Sequence, residues 1–242
     1  MPFTHTPLTQ KLSTFVRLTP EEHARLSELQ TAPFHVEKGR QLLHQGEQDH
    51  AAYILHAGWG CCFKILQDGG RQVITFPVPG DCIGLRSILL RTSDHSFSAI
   101  TDAIVSRIEV PAMLRVFTDF PRVGSAILWS TSRDEAITVE HLASIGRRTA
   151  IERTAHLFLE LCERLQIVGL ASPTEFECPL NQYELADALG LSAIHINRVL
   201  RELREINLMT FQDHNVIFQD REGLKALAGY EEIEGTLPWP SN

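Results

Sequence analysis

No run of apolar residues in this 242-residue chain approaches the roughly 18 to 20 needed to cross a bilayer. The first residues, with Pro2, Thr4, His5 and Pro7, lack the basic-then-apolar pattern of a signal peptide. A cytoplasmic protein with no membrane partner is therefore expected. Cysteine is sparse and odd in number: Cys61, Cys62, Cys82, Cys162 and Cys178 are scattered, which excludes a secreted disulfide framework and points to reduced thiols. Basic residues are outnumbered, 22 Lys and Arg against 30 Asp and Glu, for a net charge of -8. That balance excludes broad attraction to a phosphate backbone, so any nucleic-acid binding must come from a local basic surface. Gly-x-Ser-x-Gly, His-Glu-x-x-His and a phosphate loop are all missing, and no enzyme is expected.

What is present divides the chain in two. From about Phe34 to Met113 run short β-like segments: Phe34-His-Val, Ala52-Tyr-Ile-Leu, Cys61 to Leu66, Gln72 to Phe76, Phe97 to Ile100 and Ile104 to Val110. They are separated by glycine-bearing turns, of which Asp68-Gly69-Gly70 is the clearest hairpin signal. Such spacing predicts a sandwich or barrel. Ahead of it, Thr19-Pro20-Glu21-Glu22 combines an N-cap, proline at N1 and acidic residues in the first turn, predicting a short helix with Leu26 and Leu29 on its apolar side.

After the strands, no glycine or proline interrupts the chain between Ser125 and Ile145, which predicts a helix of roughly 35 to 40 Å. One register for a dimer seam is Ile127, Ser130, Asp134, Ile137, His141 and Ser144, with Leu128, Trp129, Leu142 and Ile145 on neighbouring positions. A helix packed only on its own β-domain is the alternative. The expected division is a β-roll over 1–118, the long helix over 119–146, a second domain over 147–235 and a tail over 236–242, with the boundary near Gly146-Arg147-Arg148.

The most informative run is Pro179 to Arg204. Asn181 with Glu184 makes a capping box, Leu185, Ala186 and Leu189 form a buried face, and Gly190 ends a first helix. Ser192 then caps a second, in which Ile196, Val199, Leu200 and Leu203 recur at helical spacing. Two helices around a tight turn are a helix-turn-helix, whose second helix enters the major groove by its N-terminal residues. Here those are Ala193, Ile194, His195, Asn197 and Arg198. Arg198 has the chemistry to pair with guanine O6 and N7, Asn197 with adenine or a phosphate, and Ile194 or Ala193 with a thymine methyl. Arg201, Arg204 and Ser192 are candidates for the DNA backbone, and together the arginines supply the local charge that the acidic chain otherwise lacks. Leu208 to Gln219 gives two β-like runs around Asp213-His214-Asn215, a wing hairpin whose tip residue His214 is a further phosphate candidate.

Taken together, Gly80-Asp-Cys-Ile-Gly84 with its flanking strands, the long helix, and Glu184-Leu-Ala-Asp-Ala-Leu-Gly-Leu-Ser-Ala-Ile-His-Ile-Asn-Arg198 followed by a wing resemble the cyclic AMP receptor protein / fumarate and nitrate reductase regulator (Crp/Fnr) family almost end to end. The resemblance implies an α+β fold: an N-terminal double-stranded β-helix (jelly-roll, cyclic-nucleotide-binding-like), a long dimerisation helix and a C-terminal winged helix-turn-helix. It implies a transcription regulator, a homodimer on a palindromic double-stranded DNA site, a signal sensed in the β-roll and, for an activator, RNA polymerase as a partner. Arg198 matches the family's base-reading arginine. Ile194 stands where many members carry glutamate, so the half-site differs from theirs.

The effector is not named by the sequence. Leu85 and Phe97 stand where cyclic nucleotide sensors carry glutamate and arginine, although Ser98 remains, and Arg86 or Arg91 could substitute. A phosphate in so apolar a cradle would lose its charge-assisted bonds, so a cyclic nucleotide is disfavoured. An iron-sulfur cluster is disfavoured too, because no cysteine precedes Cys61. The candidate effector pocket is Cys82, Ile83, Leu85, Ile88, Leu89, Phe97 and Ser98, an apolar lining. Cys82 with His44, His50, His56 and His95 leaves a redox or haem sensor as an alternative, and surface histidines are the simpler account; no metal site is expected. A cupin-like enzyme would need a His-x-His pair that is missing, and a protein-binding regulator would not depend on the Arg198 face.

Overall fold

The structure is a computed structural model that describes residues 6–30, 32–48, 51–85, 90 and 92–232. Two threonine-proline pairs open the chain. Thr6 and Thr19 each close a capping box and each precede a proline at N1, starting helices α1 (Pro7–Ser13) and α2 (Pro20–Leu29). The strands follow: β1 (Phe34–Val36), β2 (Gln41–Leu43), β3 (Ala52–Ala57), β4 (Gly60–Ile65), β5 (Arg71–Thr75), β6 (Cys82–Ile83), β7 (Ser96–Ala99) and β8 (Ala103–Ile108). They form two four-stranded sheets, ordered β1-β8-β3-β6 and β2-β7-β4-β5. Helices α3 (Val110–Asp119), α4 (Pro121–Arg147) and α5 (Ala150–Ile167) lead to strand β9 (Glu175–Glu177), helices α6 (Gln182–Leu189) and α7 (Ala193–Glu205), the hairpin β10 (Met209–Gln212) and β11 (Asn215–Phe218), and α8 (Arg221–Ala228).

These residues group into two compact units. The first takes the chain up to Lys64 and Phe76–Glu135; the second takes Ile65–Thr75 and Ala136 to Glu234. In the first, Leu8, Leu12, Leu26, Leu29, Ile54, Ile108, Val116 and Ile127 make one apolar core between the helices and β3 and β8. Lys11 is buried there, with Nζ 2.7 Å from Asp81 Oδ1 and 3.4 Å from Asp134 Oδ1, so its charge is compensated rather than stranded. Strand β7 meets β4 in the register Cys62↔Phe97 and Gly60↔Ala99. A Cβ on Gly60 would lie 2.1 Å from Phe97 Cε2, so the fully buried Phe97 ring packs directly on bare backbone.

In the second unit a sheet ordered β10-β11-β9 packs with the helices. Phe158, Leu159 and Leu161 of α5, Leu185 and Leu189 of α6, Ile196, Val199 and Leu203 of α7 and Leu224 of α8 are buried. Strand β5 is fastened to this unit at several points. Arg71 reaches Asp187 Oδ2 with Nε at 2.7 Å and Nη2 at 2.6 Å, and Gln72 Nε2 donates to the Ala188 carbonyl at 3.3 Å, both on the last turn of α6. The Ile74 carbonyl accepts from His141 Nδ1 at 3.0 Å, while His141 Nε2 donates to the Glu160 carboxylate. Arg164 Nη1 donates to the same carboxylate at 3.0 Å and to Thr75 Oγ1 at 3.4 Å.

With acceptors at both ring nitrogens, His141 is held as the doubly protonated imidazolium. Burial opposes that charge, but the Glu160 carboxylate and the Ile74 carbonyl outweigh it, and the His141 pKa is raised. Burial likewise pushes Glu160 up, and the His141 and Arg164 charges and hydrogen bonds more than reverse it, to about 2. Nearby His156 is the opposite case: burial, reinforced by the Arg148 charge, lowers its pKa to about 4 and leaves it neutral.

The register considered for a helical seam is corrected by this packing. Ile127, Ser130, Ile137 and Ser144 are all buried within the chain, as befits the core-facing side of α4. The most exposed apolar residues of α4 are instead Leu128 (62% exposed), Val139 (57%) and Leu142 (73%). They fall within one narrow face, since 128 and 142 are two heptads apart and 139 lies three turns beyond 128.

Candidate nucleic-acid interface

The reading element is fixed before any side chain reaches outward. Asn181 Oδ1 accepts from Tyr183 N at 2.8 Å and Glu184 N at 3.1 Å, and Glu184 Oε2 accepts from Asn181 N at 2.7 Å, closing a full capping box at the start of α6. Gly190 ends α6 in the left-handed region at φ 62°. Two residues later Ser192 Oγ accepts from His195 N at 3.2 Å and starts α7. The Ser192 side chain is thus an N-cap in addition to a candidate backbone contact.

Because Ile196, Val199 and Leu203 bury one side of α7, the opposite side is left to solvent. Ile194 is 73% exposed, a large apolar side chain with no core to join, and His195, Asn197, Arg198, Arg201 and Arg204 are all exposed beside it. Arg198 and Arg201 lie on the same side as Ile194, being four and seven residues on. Across from them the wing turns through Asp213 and His214, both left-handed at φ 50° and 60°, which is the two-residue hairpin geometry that suits strand twist. His214 stands exposed at this tip while its carbonyl accepts from Cys178 N at 2.8 Å, tying the wing to the chain ahead of α6.

Between wing, α7 and the start of α6 lies a groove of about 640 Å³, lined among others by Gln182, Tyr183, Asn197, Arg201, Arg204 and His214. Of the predicted interface residues, Asn197, Arg201, Arg204 and His214 line it, and Ser192, Ile194, His195 and Arg198 are outside its lining. Gln182 and Tyr183 also line the groove, two residues that sequence reasoning missed. Both are exposed in the first turn of α6, and their signal was their position just after the capping residue. Asn197 has a partner already: its Nδ2 donates to Gln182 Oε1 at 2.7 Å.

Of the candidate effector lining, the described residues Cys82, Leu85 and Phe97 lie in two places. Cys82 and Leu85 pack against the helical core cluster of the first unit, while Phe97 packs on Gly60. Successive residues of a strand point to opposite faces, so Cys82 and Ile83 diverge as well. Ile88, Leu89, Arg86, Arg91 and His50 lie outside the described residues. Burial pushes the Cys82 thiol up to about 12, away from the reactive thiolate form. His95 is bound to Asp94, His56 to Ser106 and His44 to Glu47. Among the described residues no three His, Cys, Asp or Glu gather as metal ligands, and no helix is long and apolar enough to cross a membrane.

A β-roll followed by a winged helix-turn-helix with an arginine-bearing reading face defines a DNA-binding transcription regulator. Residues 33–120 match the cyclic nucleotide-binding domain, and residues 152–227 match the Crp-like helix-turn-helix domain. The chain is 30% identical over 195 residues to the nitrogen fixation regulation protein FixK of Rhizobium meliloti, covering 78% of this chain and 83% of that one. It is 28% identical to the transcriptional regulatory protein btr of Bordetella pertussis, covering 89% of each. Among solved structures, FixK2 from Bradyrhizobium japonicum superposes with a TM-score of 0.73 at 24% identity, covering 83% of this chain and 98% of that one. The chain belongs to the Crp/Fnr family of transcription regulators.

The domain that matches 33–120 takes its description from cyclic nucleotides, and the described residues do not fit one. The fully buried Phe97 ring occupies the space over Gly60, and Leu43 Cδ1 sits 2.9 Å from where a Cβ on Gly84 would stand. A cyclic phosphate needs charged or polar donors in a cleft. At Leu85 and Phe97 it would meet hydrocarbon.

Proposed function

We propose that this regulator binds a palindromic double-stranded DNA site as a homodimer, each α7 reading one half-site in the major groove. In this reading Ile194, His195, Asn197 and Arg198 contact base edges, and Ser192, Arg201, Arg204 and His214 contact the sugar-phosphate backbone. The observation that carries it is the one-sided burial of α7, which leaves Ile194 and Arg198 presented on a helix capped and braced at its entry. An exposed isoleucine suits a thymine methyl, and a bidentate guanidinium suits guanine O6 and N7. No glutamate is present at position 194 to accept from cytosine N4.

The subunits pair through α4, along Leu128, Val139 and Leu142, whose exposure supports an apolar seam. The roll responds to a signal other than a cyclic nucleotide, and the chain carries out no chemistry of its own. The test is selection of DNA sequences from a genomic library by the purified protein, at fixed salt, beside Arg198→Ala. A two-fold symmetric motif that Arg198→Ala fails to enrich is the expected result. Recovery of the same salt-sensitive, sequence-independent DNA by both proteins would refute it.

A further inference from the structure

Among the described residues, the side chain of the candidate base reader Asn197 is already hydrogen bonded within the protein, and its partner comes from the other helix of the motif. Gln182 is the first residue of α6, and the Asn181–Glu184 capping box immobilises the backbone on both sides of it. From that position its Oε1 accepts from Asn197 Nδ2 at 2.7 Å across 15 residues of sequence. Both residues are exposed and both line the 640 Å³ groove beside Arg201 and His214.

The consequence lies in what is left over. A free asparagine amide can turn over about its last torsion and exchange its oxygen and nitrogen, so it can serve either an acceptor-donor or a donor-donor requirement. With Nδ2 committed to Gln182, the amide of Asn197 keeps Oδ1 and one N–H for an outside partner. An acceptor beside a donor is the complement of adenine, which offers N6–H and N7 in the major groove; guanine, which offers two acceptors, does not match. Gln182 retains two Nε2 hydrogens and no free strong acceptor direction toward Asn197.

We propose that Gln182 is a positioning residue for base recognition: it locks the Asn197 amide in one orientation, and the pair selects adenine at a single position of each half-site. The proposal rests on the reading of α7 as the base-reading helix. It assigns to the first helix of the motif a share in sequence choice, through another side chain rather than by contact with a base.

The experiment is sequence selection and competition binding with the full-length protein, comparing wild type with Asn197→Ala, Gln182→Ala and Gln182→Glu. Wild type prefers adenine at one half-site position by roughly ten-fold or more, the usual worth of a bidentate contact. Asn197→Ala loses that preference. Gln182→Ala relaxes it at the same position and leaves the rest of the motif unchanged. Gln182→Glu, which keeps an acceptor for Asn197 Nδ2, retains the preference even though its added charge weakens binding overall. If Gln182→Ala lowers affinity equally for all sequences, with an intact adenine preference, Gln182 is a phosphate contact and the proposal fails. Equal behaviour of Gln182→Ala and Gln182→Glu at that position would overturn it as well. A wild type that enriches no motif overturns the underlying reading of α7, an outcome distinct from either of these.

Discussion

Gly60 shows how a single missing side chain shapes the first unit. Its Cβ would fall 2.1 Å from Cε2 and 2.6 Å from Cζ of Phe97, a ring that is fully buried and has no room to withdraw. Gly60→Ala should therefore cost about 1 to 3 kcal/mol, as overpacking does, read as a lower denaturation midpoint. Gly60→Ala with Phe97→Leu should recover part of the loss. Nothing in the local sequence announces this pair, because Gly60 follows Ala57-Gly58 and reads as one more turn residue. At the same scale, Asn181, Gly190 and Ser192 were legible in the sequence, since capping depends on residues three or four apart. The bond from Asn197 to Gln182 was not, because it depends on how two helices cross.

Among the elements, the strands with three or more alternating or β-branched residues could be read directly: Phe34–Val36 lies where it was expected, and β3, β4, β5, β7 and β8 lie within a few residues of expectation. Strands β2, β6 and β9 have two or three residues each and no periodicity to display. Helix α1 went unread although Thr6-Pro7 repeats the Thr19-Pro20 signal that revealed α2. Helix α4 carries two apolar stripes, and periodicity alone does not say which one meets the chain's own core. The buried cluster that joins β5 to α4 and α5 has a pH signature. His141 has a raised pKa, so it contributes stability that is complete below its unfolded value of about 6.5 and disappears as pH rises through the folded value. Glu160 contributes above its unfolded value of about 4.3 and loses its contribution as pH falls toward about 2. His156, lowered to about 4, costs stability as pH falls below about 6.5. Thermal unfolding from pH 5 to 9 should therefore pass through a maximum. His141→Gln should flatten the alkaline side, and His156→Gln should flatten the acid side.

For the whole molecule, the exposed α4 face makes assembly a measurable property. A carboxylate at the centre of an apolar seam between two helices would be desolvated without a partner. Leu142→Glu is expected to shift sedimentation from dimer to monomer, and with it to weaken binding to a palindrome far more than to a single half-site. The same substitution on a helix with no partner would change neither, since Leu142 is 73% exposed in the chain by itself. A last property concerns the order in which the protein is made. Strand β5 belongs to the second unit, yet Arg71 precedes its partner Asp187 by 116 residues. At ribosomal rates of about 5 to 20 residues per second, roughly 6 to 23 seconds separate the two. The hairpin thus emerges long before the carboxylate that will hold it, and the long loop must close against its own entropy. Completion of the second unit has to await synthesis of α6, so a nascent chain stalled before Asp187 carries a strand prepared for a partner that does not yet exist.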